Sequence, residues 1–535
     1  MSPRTVPSTA RRWAAAGAGS ALLAVTAAGI AAASLHGPLA APLELGIPAA
    51  SVPAGDFVAE CPRDVRLPAG TAAESGATDP DFAAGSDSAR TAVRATVLSD
   101  VAARIPGAAL TRADGTAIRR ISPALPEGHA AQEAATSEEG LSGLSAVSVS
   151  GIDEARAAVL RVQPLGGLKS QAGMVRSYLA GDGDLAGLAV SRCQDPANEQ
   201  WLVGASTLVG RTALLIVSNP SPSASSVDVE LFGAEGQVEA GALRGIALAP
   251  GESTSIVLAG VAAGEPALGV RIASAGAPVT AVIQQSVLRG LTAGGIDFIE
   301  PGARPSQSQV VPGVAVQSAA ATGKLTDQRG YADAAPELHV AVPGRQDAVL
   351  RVRAFGPAGE VPLPGGGAAT AAAGTTARIA LDALPVGDYT IAVEADQPVA
   401  AGVRLVRGTA GERPVDAAWA SSGERLGSQH LLMVPELAVS RIAFGAPEGA
   451  AEISLRPVAA DGTIGAARTL STAAGTTAVQ DVRDLGAGTV AVLVGAGGDP
   501  VYAAQVLTAG ASGVSSIGVP PATGGRRDVA VEIGH

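Results

Sequence analysis

The side chains best suited to catalysis are few in this sequence and lie far apart. Histidine is the commonest general base in enzymes, and the five histidines are His36, His129, His339, His430 and His535. The sequence contains no G-x-S-x-G elbow, no H-E-x-x-H and no phosphate-binding P-loop. We therefore predict no catalytic, cofactor-binding or metal-binding residue and a protein that is not an enzyme. A hydrolase that combines His430, Asp416 and a serine is the least favoured alternative.

A second chemical signal is the run GDGD at 181–184, between two apolar segments. A phosphate-binding loop requires a helix after it, and a calcium loop requires further acidic ligands at alternating positions. The residues that follow, LAGLAVSRC, instead have the pattern of a strand. The run is therefore interpreted as the turn of a β-hairpin.

The two cysteines, Cys61 and Cys193, predict a structural disulfide. An even, small cysteine count without C-x-x-C is typical of exported proteins with structural disulfides. Closing a loop of about 130 residues would stabilise the fold by roughly 4 to 5 kcal/mol on the chain-entropy model. A redox or metal-binding pair is the alternative, although no histidine or third cysteine lies nearby in sequence.

The composition excludes some classes of protein. The chain has 535 residues, a net charge of −12 and 47% hydrophobic residues, which excludes a wholly disordered chain and leaves room for three or four domains. Binding to nucleic acid requires clustered Lys and Arg that neutralise phosphates. The sequence has no such basic stripe, so we predict no nucleic-acid partner.

The amino terminus predicts export. Arg4, Arg11 and Arg12 precede an uncharged hydrophobic segment, residues 13–35. A membrane-spanning helix needs about 20 residues, and the hydrophobic region of a cleaved signal about 7 to 15. The length favours a single-pass anchor in the cytoplasmic membrane, with a cleaved signal peptide and secretion as the alternative. In either case the remainder of the chain is expected outside the membrane.

A unit of roughly 75 residues occurs three times, which indicates a tandem array. Two turn glycines and one proline keep their spacing in each copy. These landmarks are Gly236, Gly359 and Gly462; Gly251, Gly374 and Gly475; and Pro278, Pro398 and Pro500.

Each copy has the alternating pattern of β-strands, as in Val227, Val229 and Leu231, and no convincing amphipathic helix. Six or seven short strands in a unit of this size fit an antiparallel sandwich. The predicted fold class is therefore all-β, with tandem immunoglobulin-like β-sandwich modules after a single amino-terminal hydrophobic helix.

Three aromatic residues lie near the predicted module junctions: Trp201, Phe298 and Trp419. We interpret Phe298 and Trp419 as buried contacts between consecutive modules. The alternative for these aromatic side chains is stacking against a ligand.

The predicted organisation has eight parts. They are a cytoplasmic region at 1–12, the anchor or signal peptide at 13–35, a linker at 36–56, a disulfide-clamped β-domain at 57–195 with a mobile insert at about 69–150, module 1 at 196–300, module 2 at 301–420, module 3 at 421–510, and a tail with a possible edge strand at 511–535.

The run CQDPANEQWLVGASTLVGRTALLIVSNPSPSASSVDVELFGAEG, with APGESTSIVLAG and GLTAGGIDFIEP, resembles an actinobacterial family of unknown function. Cys61-Pro62 and Cys193 match the cysteine positions of that family. The resemblance is strongest over about residues 190–320. It implies exported or membrane-anchored proteins, often encoded near a large membrane glycosyltransferase, and it brings no catalytic residue to this chain.

These observations favour a non-enzymatic scaffold or accessory protein of the cell envelope that presents its modules outside the cytoplasmic membrane. A membrane glycosyltransferase is the possible partner. The alternative function is binding of a cell-wall glycan, with wall polysaccharide as the ligand.

Overall fold

The structure is a computed structural model that describes residues 54–68, 86–126, 143–409 and 415–522. The predicted hydrophobic helix at 13–35 lies outside these ranges. In the described residues, no helix is long and apolar enough to cross a membrane. The same residues form 33 β-strands and one α-helix, α1 (Ala319–Thr326), which confirms the predicted all-β class.

The strands form four modules, and each module repeats the same eight strand positions, which we call a to h in chain order. In the amino-terminal module these positions are filled by β1 (Phe57–Cys61), β2 (Arg90–Leu98), β3 (Ala108–Arg112), β4 (Ala117–Ser122), β5 (Ala146–Ile152), β6 (Ala158–Val162), β7 (Ala172–Ala180) and β8 (Gly187–Arg192).

Modules 1 to 3 follow without interruption. Module 1 contains β9 (Glu199–Ala205), β10 (Arg211–Ser218), β11 (Ser225–Phe232), β12 (Gln237–Val238), β13 (Ile246–Leu248), β14 (Ser253–Val257), β15 (Leu268–Gly276), β16 (Thr280–Arg289) and β17 (Thr292–Ile299). Module 2 contains β18 (Ser306–Val316), β19 (Glu337–Ala341), β20 (Ala348–Gly356), β21 (Gly359–Val361), β22 (Ala368–Ala371), β23 (Thr376–Ala380), β24 (Gly387–Arg407) and β25 (Asp416–Ser421). Module 3 contains β26 (His430–Met433), β27 (Val439–Ala446), β28 (Ala451–Ala459), β29 (Arg468–Thr472), β30 (Thr476–Asp481), β31 (Thr489–Gly498), β32 (Tyr502–Ala509) and β33 (Gly513–Gly518).

Every module is a sandwich of two antiparallel sheets with one strand order. One sheet has the order d-c-f-a and the other e-b-g-h. In modules 1 and 2 position d consists of two short strands, and in module 2 the single strand β24 serves as both f and g. The disulfide-clamped β-domain predicted at 57–195 was expected to differ from the three repeated modules, but it is a fourth copy of the same module. Its strands β2 to β4 lie within 69–150, the range expected to be a mobile insert, and β33 lies within the range assigned to the tail.

The repeated glycines and prolines have the same structural role in each copy. Gly251, Gly374 and Gly475 have φ of 74°, 71° and 68°, a left-handed conformation that only glycine adopts readily. Each donates its N–H to a carbonyl at the end of strand b, at 2.7 to 2.9 Å. The acceptor is the residue just after the strand in modules 1 and 2 (Asn219, Val342) and the last residue of the strand in module 3 (Ala446). The prolines lie where the chain passes from strand f in one sheet to strand g in the other.

An apolar core holds each module together, and a disulfide reinforces the amino-terminal module. The space between the two sheets of each module is filled mainly by small aliphatic side chains, such as Leu215, Val229 and Ile283 in module 1. In the amino-terminal module, a disulfide joins Cys61 at the end of β1 to Cys193 just after β8, and so connects its two sheets. The predicted pairing of the cysteines is confirmed.

The four modules close into a ring. The four h strands are all edge strands, and they meet at the centre: β8 packs against β17 and β33, and β25 packs against the same two strands. A separate apolar cluster lies between each pair of neighbours. The clusters include Leu214 and Tyr178 (amino-terminal module and 1), Trp201 and Ala341 (1 and 2), Phe355 and Val310 with Tyr502 (2 and 3), and Met433 and Leu188 (3 and amino-terminal module).

The repeated Gly-Thr-Thr sequence contributes to this contact between modules. In module 2, the second threonine, Thr376, donates its hydroxyl to the carbonyl of Phe232 in module 1 at 2.7 Å. In module 3, Thr477 donates in the same way to Phe355 of module 2 at 2.6 Å. The sequence repeat therefore encodes an interface as well as a turn.

Candidate functional site

One buried carboxylate lies at the centre of the ring and binds all four central strands. The Asp416 oxygens accept the N–H groups of Leu188 in β8, Ile296 in β17, Val514 in β33 and its own neighbour Ala417 in β25, at 2.8, 3.0, 3.1 and 3.0 Å. Edge strands have backbone donors without a partner strand. Asp416 supplies the missing acceptor to one such donor in every module.

Glycines allow the strands to approach this carboxylate. A Cβ on Gly187 would lie 2.5 Å from Asp416 Oδ1, and a Cβ on Gly295 would lie 2.7 Å from the same oxygen. Both glycines also have positive φ, 148° and 117°. Because neither glycine has a side chain, β8 and β17 can approach Asp416 closely enough to form their hydrogen bonds with it.

A second carboxylate, Asp297, lies beside the first. Its Oδ1 accepts the Ser515 hydroxyl at 2.8 Å, and its oxygens lie 3.4 Å from the backbone nitrogens of Val190 and Trp419. Burial raises the pKa of Asp297 well above its usual value, and the nearby Asp416 carboxylate acts in the same direction. Burial also raises the pKa of Asp416 to about 7, although its four N–H donors oppose the shift.

Two further buried carboxylates lie between modules. Glu300 accepts the Arg192 N–H at 2.5 Å and the Ser191 hydroxyl at 3.2 Å, and Glu60 accepts the Thr280 hydroxyl at 2.9 Å. Burial raises the pKa of Glu300 and of Glu60 to about 7. The contacts between modules thus include three acids, Asp416, Glu300 and Glu60, whose protonation changes near neutral pH.

An open cavity of about 860 Å³ lies directly beside Asp416. Its walls are mainly the connections between strands g and h of all four modules, and Ser88 and Arg90 at the start of β2 complete them. Its polar lining groups are Ser88, Arg90, Asp182, Asp184, Thr292, Asp416 and Ser512. The volume is within the range of sites for small organic ligands, and the mixture of carboxylates, hydroxyls and a guanidinium suits a polar ligand. We call this feature the axial cavity.

The GDGD run lies at the edge of the axial cavity. It connects β7 to β8, which pair in antiparallel orientation, so the predicted hairpin is present. Asp182 accepts the Ser88 hydroxyl at 2.7 Å and also binds the Ser86 hydroxyl. These hydrogen bonds lower the pKa of Asp182 and keep it charged at neutral pH.

The three aromatic residues singled out in the sequence are buried at module interfaces. Trp201 stacks on Phe232 with ring centroids 5.6 Å apart, and Phe298 is fully buried between the amino-terminal module and module 1. Trp419 belongs to module 2 but enters the core of module 1, where its indole N–H donates to Gly204 O at 2.9 Å. None of these three rings has an exposed face on which a ligand could stack.

The described histidines are held by structural hydrogen bonds. His430 Nδ1 lies 2.7 Å from Pro520 O, and its Nε2 accepts the Gly427 N–H at 2.8 Å, which fixes a neutral ring. His339 Nε2 lies 2.9 Å from Glu337 Oε2. Burial lowers the pKa of both rings. The partners of His430 do not include Asp416, so the proposed combination of these two residues is not formed. The other three histidines lie outside the described residues.

The described ranges contain no group of three or more His, Cys, Asp or Glu placed to hold a metal ion. In the sequence, Asp416 is a candidate only as a partner of His430 in the least favoured alternative, and Asp297 has no assigned role. The sequence offers one signal for the burial of Asp416 and Asp297. Each is the only charged residue of its strand, at the start of DAAWAS and within GGIDFI. The partners of these acids could not be predicted, because they come from all parts of the chain.

Comparisons with known proteins give one match. No curated protein and no solved structure matches the chain. The family model described as a family of unknown function, DUF5719, matches residues 147–483. That range runs from β5 in the amino-terminal module to the end of β30 in module 3, and includes most of the ring. The chain belongs to this family of unknown function, DUF5719.

Proposed function

We propose that the protein is a non-enzymatic scaffold or accessory protein of the cell envelope. The observation that supports this proposal is the closed ring, whose centre is filled by Asp416 and the four strands that it binds. A body held in this way is suited to presenting a fixed surface to a partner. The hydrophobic segment at 13–35 would anchor the ring outside the cytoplasmic membrane, and a membrane glycosyltransferase is the partner that we propose.

We also infer that each module is a variant of the immunoglobulin-like sandwich. Strands b and e pair, as do c and f, which corresponds to the B–E and C–F pairs of that fold. Strand a, however, lies on the side of f where the immunoglobulin fold has strand G. Strand g lies on the side of b where that fold has strand A.

Cross-linking in the native membrane tests the proposed role. The full chain is cross-linked in intact cells, and captured proteins are identified by mass spectrometry, with a chain anchored by an unrelated hydrophobic segment as control. We expect one membrane enzyme to dominate the captured proteins in both forms, because recognition would involve the ring and not the anchor. Capture that disappears with the exchanged anchor, or no specific capture, would contradict the proposal.

A second candidate function is binding of a cell-wall glycan, and the axial cavity favours it. Sugars without an aromatic platform are bound through charged and hydroxyl side chains. The cavity presents Arg90, Asp182 and Asp184 together with three hydroxyl-bearing residues. The buried aromatic residues are not available for this role.

Titration calorimetry with wall-polysaccharide fragments tests the second candidate. If the axial cavity binds them, Asp184→Asn and Arg90→Gln should each weaken binding about tenfold or more, because hydrogen bonds to charged groups are lost. Arg351→Gln, an exposed arginine of module 2 outside the cavity, should leave the affinity unchanged. Equal affinities for all variants, or no heat with the unchanged protein, would exclude this cavity as the glycan site.

A further inference from the structure

Modules 1 and 2 enclose a small cavity that is rich in arginine. Its volume is about 10 Å³, and it is lined by Arg211 and Arg289 of module 1 and by Arg404 and Asp333 of module 2. The remaining wall includes the ring of Trp419, the hydroxyl-bearing Ser206 and the amide-bearing Gln285. The lining thus contains three guanidinium groups and one carboxylate.

The carboxylates near this cavity do not balance its cations. Asp333 is shared by Arg211 and Arg289, with N–O distances of 2.5 Å to each. Arg404 Nη2 lies 3.3 Å from Glu337 Oε2, but Glu337 is also bound by the part-exposed Arg378 and by His339. Two carboxylates therefore serve three buried arginines and a fourth at the surface, which leaves an excess of positive charge.

Two of the cavity arginines also have a donor without an acceptor. In the described residues, the Nε groups of Arg289 and Arg404 are buried and make no hydrogen bond. The Arg289 side chain is 3% exposed, and Arg404 is 9% exposed. A buried cationic donor without a partner is costly, because neither water nor protein replaces its hydration.

We propose that this cavity binds one chloride ion. A chloride ion accepts several N–H groups at once and neutralises one positive charge. In this cavity it would reduce the charge excess and provide an acceptor to the guanidinium groups that line the wall. A cavity needs about 10 to 15 Å³ to hold one water molecule, so this cavity has room for one monoatomic ion at most, and sulfate or phosphate is too large. The site is independent of the partner and of the axial cavity.

Bromide replaces chloride and can be located by its anomalous scattering. Crystals of the protein grown in sodium bromide should show an anomalous peak in the cavity, within about 3.5 Å of guanidinium nitrogen atoms of its lining arginines. A water molecule there, without anomalous signal, would overturn the proposal. Bromide peaks confined to surface arginines would overturn it equally.

A solution measurement uses the linkage between binding and folding. At constant ionic strength, replacing gluconate by chloride should lower the unfolding equilibrium constant by up to about tenfold for each tenfold rise in chloride above its dissociation constant. Arg404→Met should abolish this dependence. Arg378→Gln, which removes a Glu337 partner that does not line the cavity, should retain it. An unchanged dependence in Arg404→Met would reject the site, and the bromide experiment decides alone if that variant does not fold.

Discussion

Replacing Asp416 by alanine is expected to lower the free energy of unfolding by about 4 kcal/mol or more. The variant leaves four buried N–H groups, one in each module, without their acceptor, and each such group costs about 1 to 3 kcal/mol unless water reaches it. Water from the axial cavity can replace part of the loss. Urea denaturation followed by circular dichroism measures the change.

Asp396→Ala is the matched control for this variant. Asp396 also accepts a backbone N–H, that of Val349 at 2.8 Å, but in an exposed setting. Its removal should cost no more than about 0.5 kcal/mol, as is usual for exposed positions. Asp416→Asn should recover part of the loss, because its amide keeps one acceptor oxygen and turns a donor toward the other two N–H groups. If Asp416→Ala and Asp396→Ala proved equally stable, Asp416 would not hold the strands together.

The stability of the ring is expected to fall as the pH rises from about 5 to 8. Glu60, Glu300 and Asp416 have pKa values raised to about 7, above the usual values of 4.5, 4.5 and 3.8. Between these values the folded protein binds more protons than the unfolded chain, so stability decreases with pH and levels off above about pH 7. Shifts of this size correspond to about 3 to 4 kcal/mol for each group.

Two other acids make the ring less stable when the pH falls below about 4. The pKa values of Asp333 and Glu337 are lowered to about 2, because their arginine partners and, for Glu337, His339 outweigh the effect of burial. Their contribution is present above the unfolded pKa of about 4 and is lost as the pH falls through the folded pKa. We therefore expect maximal stability near pH 4 to 5.

Denaturant midpoints measured across this range test the pH dependence. Glu300→Gln should reduce the fall in stability between pH 5 and 8 by about a third, because Glu60 and Asp416 still titrate in this variant. Glu452→Gln, an exposed position on β28, should leave the profile unchanged. A midpoint that rises from pH 5 to 8 would show that these buried acids are ionised more easily than their burial indicates.

Local features of the fold were accessible from the sequence. The turn glycines such as Gly374 and the proline between f and g, such as Pro398, depend on backbone conformations that short sequences encode. The alternation in β11 fixes which side chains enter the core. The disulfide could be inferred because only one pair of cysteines exists.

The fourth copy and the ring could not be inferred in the same way. In the amino-terminal module, long connections separate β1 from β2 and β4 from β5, so the spacing of the landmarks is lost. Ring closure depends on contacts such as Met433 against Gly173, between segments far apart in the chain. The role of Asp416 depends on the same closure, since its donors belong to four modules.

Ring closure also sets an order of assembly. Synthesis begins at the amino terminus, so the amino-terminal module is complete long before β26 is made. β26 is the first strand of module 3, which closes the ring against the amino-terminal module. Until then the face that includes Leu188 and Val190 has no partner and is open to wrong contacts. The Cys61–Cys193 disulfide belongs to the amino-terminal module. This module must stay folded for the longest time without one of its two neighbours, module 3.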